Sequence, residues 1–322
     1  AARLADFVGA QSSQLAFVEN TTAGINDVLR SFPWKSGDEI VLADHAYPAV
    51  RNTVNFLVTQ FGLKIRLASI DFPLRNAEDI AQAYCANITE RTRLAIVDHV
   101  FSPLAVITPL RPVIAHCDRL GVAVVVDGAH GPGMLPLALD ALQPHWYVGN
   151  CHKWMCAPKG TAFIYQSALA PCGIHPAVLS NFVGEGFTQE FDWQGTRDYS
   201  GWLSTTAAID FLQAFGVDRY QRFLHDQALQ AAGMLCQRWN VALPAPAEAF
   251  GAMVTLPWPH PAEATAQNAK RLHDRLWNEH RIEVPVIVAN ARLWIRISAQ
   301  IYNEMSDYEA LADAVTSSEI GL

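Results

Sequence analysis

The chain predicts an α/β fold: a large domain on a mainly parallel sheet with helices on both faces, followed by a small C-terminal α+β domain. Three observations carry this expectation. Short apolar runs alternate with helical patterns through the first two-thirds of the chain, as in sheets built from strand–helix units. Polar residues gather where the strands end, at the edge of an open α/β sheet where ligands sit. From about Gly201 the alternation gives way to long helical stretches and a few later strands, which divides the chain into residues 1–200 and 201–322.

Taken in order, Phe17-Val18-Glu19 ends a short strand, and Asn20-Thr21-Thr22-Ala23-Gly24 leads into a helical pattern from Ile25 to Ser31. Glu39 to Leu42 is a strand, followed by Asp44-His45-Ala46-Tyr47 and a helix from Pro48. Lys64 to Ser69 reads as a strand, Asp79 to Ala86 as a helix, and Thr92 to Val100 as a strand closed by Asp98-His99. Arg111 to Leu120 is a helix, and Val122 to Val126 is a buried strand that ends in Asp127. Trp146 to Gly149 and Ala162 to Tyr165 are strands flanking Lys153. Ser204 to Trp239 is helical with an interruption near Gly216. The remainder reads as a strand at Gly251–Leu256, a helix at Ala262–Glu279, strands near Ile282–Val288 and Leu293–Ser298, and a helix from Ser306 to about Val315.

With 322 residues, 51 % of them hydrophobic and 17 % charged, the chain has the makings of a sizeable core and is not a disordered polymer. Its net charge of −8, with no basic stripe, argues against a nucleic-acid partner. No apolar run reaches the roughly 18 residues of a membrane span. The six cysteines form no CxxC pair, which speaks against a zinc ribbon and for reduced thiols and a cytoplasmic setting. The first residues read like the middle of a helix, so an N-terminal segment is expected ahead of Ala1.

The chemistry gathers at a few positions. Lys153 is one of only five lysines and sits between His152 and Trp154. A lysine in an apolar setting has its charge disfavoured, and a desolvated amine is a good nucleophile toward an aldehyde. The same residue also reads as a loop lysine beside an aromatic. Asp127 closes a run of five apolar residues, and a carboxylate there needs hydrogen bonds or a cation such as a protonated pyridine nitrogen. A structural turn at Asp127-Gly128 is the other reading, and His130 is equally a turn histidine or a proton carrier. Thr21 and Thr22 open a helix and so form either a phosphate cradle or an ordinary cap. Tyr47 follows a strand end and either stacks on a flat ring or packs. Arg296, on the same strand face as Trp294, suits a carboxylate or a structural ion pair.

The order of these motifs resembles the class V aminotransferase family, the fold-type I enzymes that use pyridoxal 5′-phosphate (PLP). Val126-Asp127-Gly128-Ala129-His130, Gly149-Asn150-Cys151-His152-Lys153-Trp154 and Ala157-Pro158-Lys159-Gly160 carry the likeness, with Asn20 to Asn26, Arg296-Ile297-Ser298 and Tyr302-Asn303. Within the family the chain looks most like the isopenicillin N epimerase branch, which also holds C–S lyases. The resemblance implies a large PLP-binding domain with a seven-stranded-type sheet. It implies that Lys153 bonds the cofactor and shuttles the α-proton, that Asp127 holds the ring nitrogen protonated, and that Tyr47 stacks on the ring. Ser102 and His130 would lie near the ring hydroxyl, and Thr21, Thr22, Asn150 and His152 would hold the phosphate. Thr196 would reach the phosphate of a neighbouring subunit, which implies a homodimer with shared sites, and Arg296 would hold the substrate carboxylate.

The expected activity is chemistry at the α-carbon of an amino acid or short peptide, epimerase-like, with C–S lysis or transamination as the alternative. No cysteine follows Cys236, which argues against the nucleophilic cysteine that desulfurases need, and Cys151 reads as a small packing residue. A segment at Phe187–Phe191 is expected to be a loop beside a leaving group. A metal-dependent hydrolase using Asp44-His45, Asp98-His99 and Asp127/His130 is the remote alternative, and it leaves Lys153, Thr21, Thr22 and Arg296 without roles.

Overall fold

The structure is a computed structural model that describes residues 1–317. It forms two compact units. The first comprises Ala1–Ile70, Ile80–Val100 and Thr108–Asp218; the second comprises Asp71–Asp79, Phe101–Ile107 and the chain from Arg219 onward.

In chain order the elements of the first two-thirds are α1 (Ala2–Val8), β1 (Leu15–Val18), α2 (Thr21–Ser31), β2 (Glu39–Ala43), α3 (Pro48–Phe61), β3 (Lys64–Ala68), α4 (Glu78–Ala86) and β4 (Thr92–Asp98). They continue with α5 (Leu110–Arg119), β5 (Ala123–Gly128), α6 (Leu139–Leu142), β6 (Trp146–Asn150), β7 (Ala162–Gln166), α7 (Phe187–Asp192), α8 (Ser200–Leu203) and α9 (Thr205–Phe215). The strands form one seven-stranded sheet in the order β1-β7-β6-β5-β4-β2-β3. Neighbours from β3 through β6 run parallel, while β7 is antiparallel to both β6 and β1. Two antiparallel steps restore direction, so β1 runs with β6, and the carboxyl ends of β1, β2, β4, β5 and β6 share one edge.

Every residue of β5 is buried, on both of its alternating faces, so both faces of the sheet centre are covered. The β-branched run Val124-Val125-Val126 suits such a strand. One side packs the apolar stripe of α2 (Ile25, Val28, Leu29) and of α3 (Val50, Val54, Leu57) against Ile40, Leu42, Ile96, Val125 and Val148. The outer strand β3 keeps Lys64 exposed, a charge that discourages pairing along its free edge.

The later elements are α10 (Val217–Trp239), β8 (Met253–Pro257), α11 (Ala266–His280), β9 (Val286–Ala289), β10 (Arg292–Ser298) and α12 (Met305–Thr316). The three strands pair antiparallel in the order β8-β10-β9. The expected helical interruption falls at Gly216, whose φ is 76°. Several expected boundaries move for local reasons. α2 begins at Thr21 rather than Ile25, because the Asn20 side chain accepts from the Ala23 N–H at 2.9 Å. α11 begins at Ala266 rather than Ala262, with the Thr265 hydroxyl accepting from the Asn268 N–H at 3.1 Å. β9 starts at Val286 rather than near Ile282, because Arg281 turns left-handed to end α11 and Pro285 offers no N–H to a ladder.

Candidate active site

The first unit gathers its polar residues at the shared carboxyl edge of the sheet. Asn150 ends β6 and its side-chain oxygen accepts the Thr21 N–H at 2.9 Å, which joins the start of α2 to the end of β6. The approach is close because residue 24 is glycine: a Cβ there would lie 2.6 Å from Val148 Cγ1. Thr21 is buried, and its Oγ1 has no hydrogen-bond partner among the described residues. An orphaned hydroxyl in the first turn of an eleven-residue helix is a fitting place for an anionic oxygen.

Asp127 lies one residue from the end of β5, is 5 % exposed, and accepts the Ala129 N–H at 3.1 Å. Burial pushes its carboxyl above the ordinary carboxylate range; the Ala129 N–H pulls it back, as a charge on Lys153 would. A cation beside it would complete the compensation. The turn that follows passes tightly over β6, since a Cβ on Gly128 would meet the Tyr147 ring at 2.1 Å. This turn delivers His130, whose Nε2 lies 3.1 Å from Lys153 Nζ.

The tautomer of His130 follows from its other nitrogen. Trp154 Nε1–H donates to His130 Nδ1 at 3.1 Å, and an indole nitrogen is only ever a donor. Nδ1 therefore carries the lone pair, and a neutral ring carries its hydrogen on Nε2. Lys153 Nζ is then the acceptor, which requires the uncharged amine. That is the form that attacks a carbonyl or takes up a proton. His152 is ordered differently: its Nδ1 donates to the Thr161 carbonyl at 2.8 Å, and burial pushes its pKa down. Its neutral form offers an acceptor at Nε2, so it holds an anion only when protonated.

Thr21, Thr22, Asp127, His130, Asn150, His152 and Lys153 thus all sit at one end of the first unit, on α2, β5, β6 and the turns after them. Tyr47 caps the start of α3 after β2, with its side chain partly exposed. Thr196 is exposed, in the turn after α7, and the neighbouring Arg197 is tied to Glu19 and lies 4.4 Å from the Trp202 ring centroid. Ser102 and Arg296 belong to the second unit, where Arg296 Nη1 donates to the Ser102 carbonyl and, at 3.3 Å, to its hydroxyl. Arg296 Nε is buried with no acceptor among the described residues, an opening that a carboxylate would fill.

Two expectations are corrected. Phe187–Phe191 is not a loop but part of α7; Phe191 is fully buried, and Phe187 packs against the same apolar core, so their rings fill the interior. The metal-hydrolase alternative also fails: Asp44-His45, Asp98-His99 and Asp127/His130 assemble no group of three or more metal-ligating side chains among the described residues. Cys151 is fully buried and its thiol is pushed far up, which leaves it an inert packing residue. Sequence reasoning missed Trp154 as a functional group, although a donor-only indole directly after the key lysine was a legible sign. It also gave Asp98 no role beyond metal binding.

The chain is similar to proteins of known family and fold. The family described as aminotransferase class-V matches residues 2–311. A probable chloroplastic L-cysteine desulfhydrase of Arabidopsis thaliana is 29 % identical over 94 % of this chain and 70 % of its own. An isopenicillin N epimerase of Amycolatopsis lactamdurans is 31 % identical over 97 % of this chain and 82 % of its own. Among solved structures, the cystine C–S lyase C-DES in complex with cysteine persulfide superposes with a TM-score of 0.79 at 22 % identity, covering 98 % of this chain and 84 % of that one. That likeness speaks for the fold. PLP fits the residues present: the orphaned Thr21 hydroxyl at a helix start suits a phosphate, buried Asp127 a ring nitrogen, and Lys153 an aldehyde. On its matched length and on this fit, the chain belongs to the aminotransferase class-V family and is a PLP-dependent enzyme.

Proposed function

We propose that the protein is a C–S lyase of the cysteine desulfhydrase kind: it cleaves the Cβ–S bond of L-cysteine or a close cysteine derivative. The 3.1 Å contact between Lys153 Nζ and His130 Nε2 supplies the proton relay at the α-carbon that this elimination needs. Inversion begins with the same step, so elimination is selected on the likeness to curated relatives. The similarity to L-cysteine desulfhydrases of Arabidopsis thaliana and Oryza sativa, over 94 to 98 % of this chain, supports the same reading.

When bound, PLP withdraws electrons from the α-carbon of an amino acid whose amine it holds. The rest falls to the chain. Thr21, Thr22 and Asn150, with His152 in its protonated form, hold the phosphate. Asp127 balances the charge on the ring nitrogen, and Tyr47 covers the ring. Lys153 takes the α-proton, and His130, fixed by Trp154, orients the amine for that transfer. Arg296 holds the substrate carboxylate. For L-cysteine the balance is cysteine plus water giving pyruvate, ammonia and hydrogen sulfide. We further propose a homodimer in which Thr196 serves the partner's phosphate.

The epimerase reading has one observation in its favour, the 31 % identity to the Amycolatopsis lactamdurans isopenicillin N epimerase. The test is to give the PLP-loaded enzyme L-cysteine and measure sulfide and pyruvate together, with Lys153→Ala as control. Equal amounts of both, abolished in the variant along with the visible absorption of bound PLP, are expected. 3-Mercaptopyruvate without sulfide would indicate transamination. Exchange of the α-hydrogen in heavy water with loss of optical activity, and no sulfide, would replace the lyase by an epimerase.

A further inference from the structure

Asp98 is a buried carboxyl for which the chemistry above has no use. It ends β4 directly opposite Asp127 on β5, in register, so the two side chains leave the same face of the sheet from strands about 4.8 Å apart. Asp98 is 3 % exposed and its Oδ2 is buried with no hydrogen-bond partner among the described residues. Asp98 thus faces the proposed partner of the ring nitrogen.

The groups around it supply no compensating cation. From α3 comes Arg51, whose guanidinium is spent on the backbone carbonyls of Ala43 and Asp44. From α4 comes the Tyr84 hydroxyl, which is fully buried and accepts the Asp98 N–H at 3.4 Å. From β5 comes Asp127, a like charge. The adjacent His99 is kept neutral by burial and is bonded through Nδ1 to the Tyr147 hydroxyl at 2.9 Å. Two buried carboxylates side by side cannot both ionise cheaply, and the pair titrates as a unit. Asp127 accepts the Ala129 N–H while Asp98 Oδ2 has no partner among the described residues, so the negative charge falls to Asp127.

We propose that Asp98 is a positioning residue for the cofactor site: it remains a neutral acid beside Asp127, so that the pair carries one negative charge at the ring-nitrogen end. The role rests on the reading of Asp127 as the partner of the ring nitrogen. Burial and the charge of Asp127 both push the Asp98 carboxyl up, in the same sense.

The test is infrared spectroscopy of the cofactor-free and PLP-loaded protein in heavy water at neutral and mildly alkaline pH, on wild type, Asp98→Asn and Asp127→Asn, with PLP titrations alongside. A carbonyl band of a protonated carboxylic acid is expected in wild type and absent from Asp98→Asn. Asp127→Asn should keep that band and lose it at a pH at least about one unit lower, because the like charge is gone. Asp98→Asn, the neutral isostere, should bind PLP within about threefold of wild type. A band unchanged in Asp98→Asn, or PLP bound more than about tenfold more weakly by Asp98→Asn, would overturn the proposal while leaving Asp127 untouched. Asp127→Asn with the PLP affinity and visible spectrum of wild type would instead remove the footing in Asp127, and this role for Asp98 with it.

Discussion

At the scale of single residues, the site works through hydrogen-bond direction more than through charge. Trp154 is the control point, because its donor-only nitrogen fixes the tautomer of His130 and thereby the form of Lys153 that His130 can face. Trp154→Phe keeps the ring and removes that donor. We expect kcat for cysteine cleavage to fall about fivefold with KM changed less than about twofold, since one hydrogen bond of about 1 kcal/mol is lost from the orientation of the relay and none from substrate binding. Steady-state kinetics decide it, and an unchanged kcat would count against the tautomer assignment. Lys153, Asp127 and His130 were legible as chemistry-bearing from their neighbours in sequence. The partner of each was not, because a hydrogen bond from residue 154 to residue 130, or from residue 150 to residue 21, depends on how distant strands align.

At the scale of elements, α2 does two jobs. Its first turn meets Asn150 at the site, and its second half carries Asp27, a buried carboxyl that accepts the Ala177 N–H at 2.8 Å. The segment beyond β7 is fastened there again by Ser31, whose hydroxyl accepts the His175 N–H at 2.9 Å, and within that segment Glu190 meets His175 Nδ1 at 2.6 Å. Burial pushes Asp27 up to about 7, an acid with its folded pKa above its unfolded one. The native state therefore holds a proton that the unfolded chain has released, and stability falls as pH rises from about 4 to about 7. Three units correspond to at most about 4 kcal/mol. Asp27→Asn should erase this slope: denaturant unfolding of the variant should be relatively more stable than wild type above neutrality and no better at mildly acid pH. Parallel curves for the two proteins across that range would show that Asp27 does not hold the proton.

At the scale of the whole molecule, the exposed apolar side chains are uneven. Leu203, Phe211 and Phe215 stand out on α8 and α9, as do Val178, Leu179, Phe182 and Val183 before α7. Such side chains in number mark a surface made to be covered. For the proposed homodimer, sedimentation equilibrium should return twice the 35.4 kDa of the chain, and Thr196→Ala should weaken PLP binding about tenfold. A monomer at micromolar concentration that still binds PLP tightly would remove both the dimer and the shared phosphate contact.

The sequence by itself determined the fold class, the strand–helix order and the residues able to do chemistry. These depend on local periodicity, on caps and on which residue types follow an apolar run. Only the tertiary structure decided that β1 joins the sheet beside β7, that Asp98 stands opposite Asp127, and that the segments Asp71–Asp79 and Phe101–Ile107 join the second unit. Each of these is a pairing between residues far apart in the chain, set by which strands hydrogen-bond and in what register. Hydrophobic pattern marks a face as buried but does not say what will cover it.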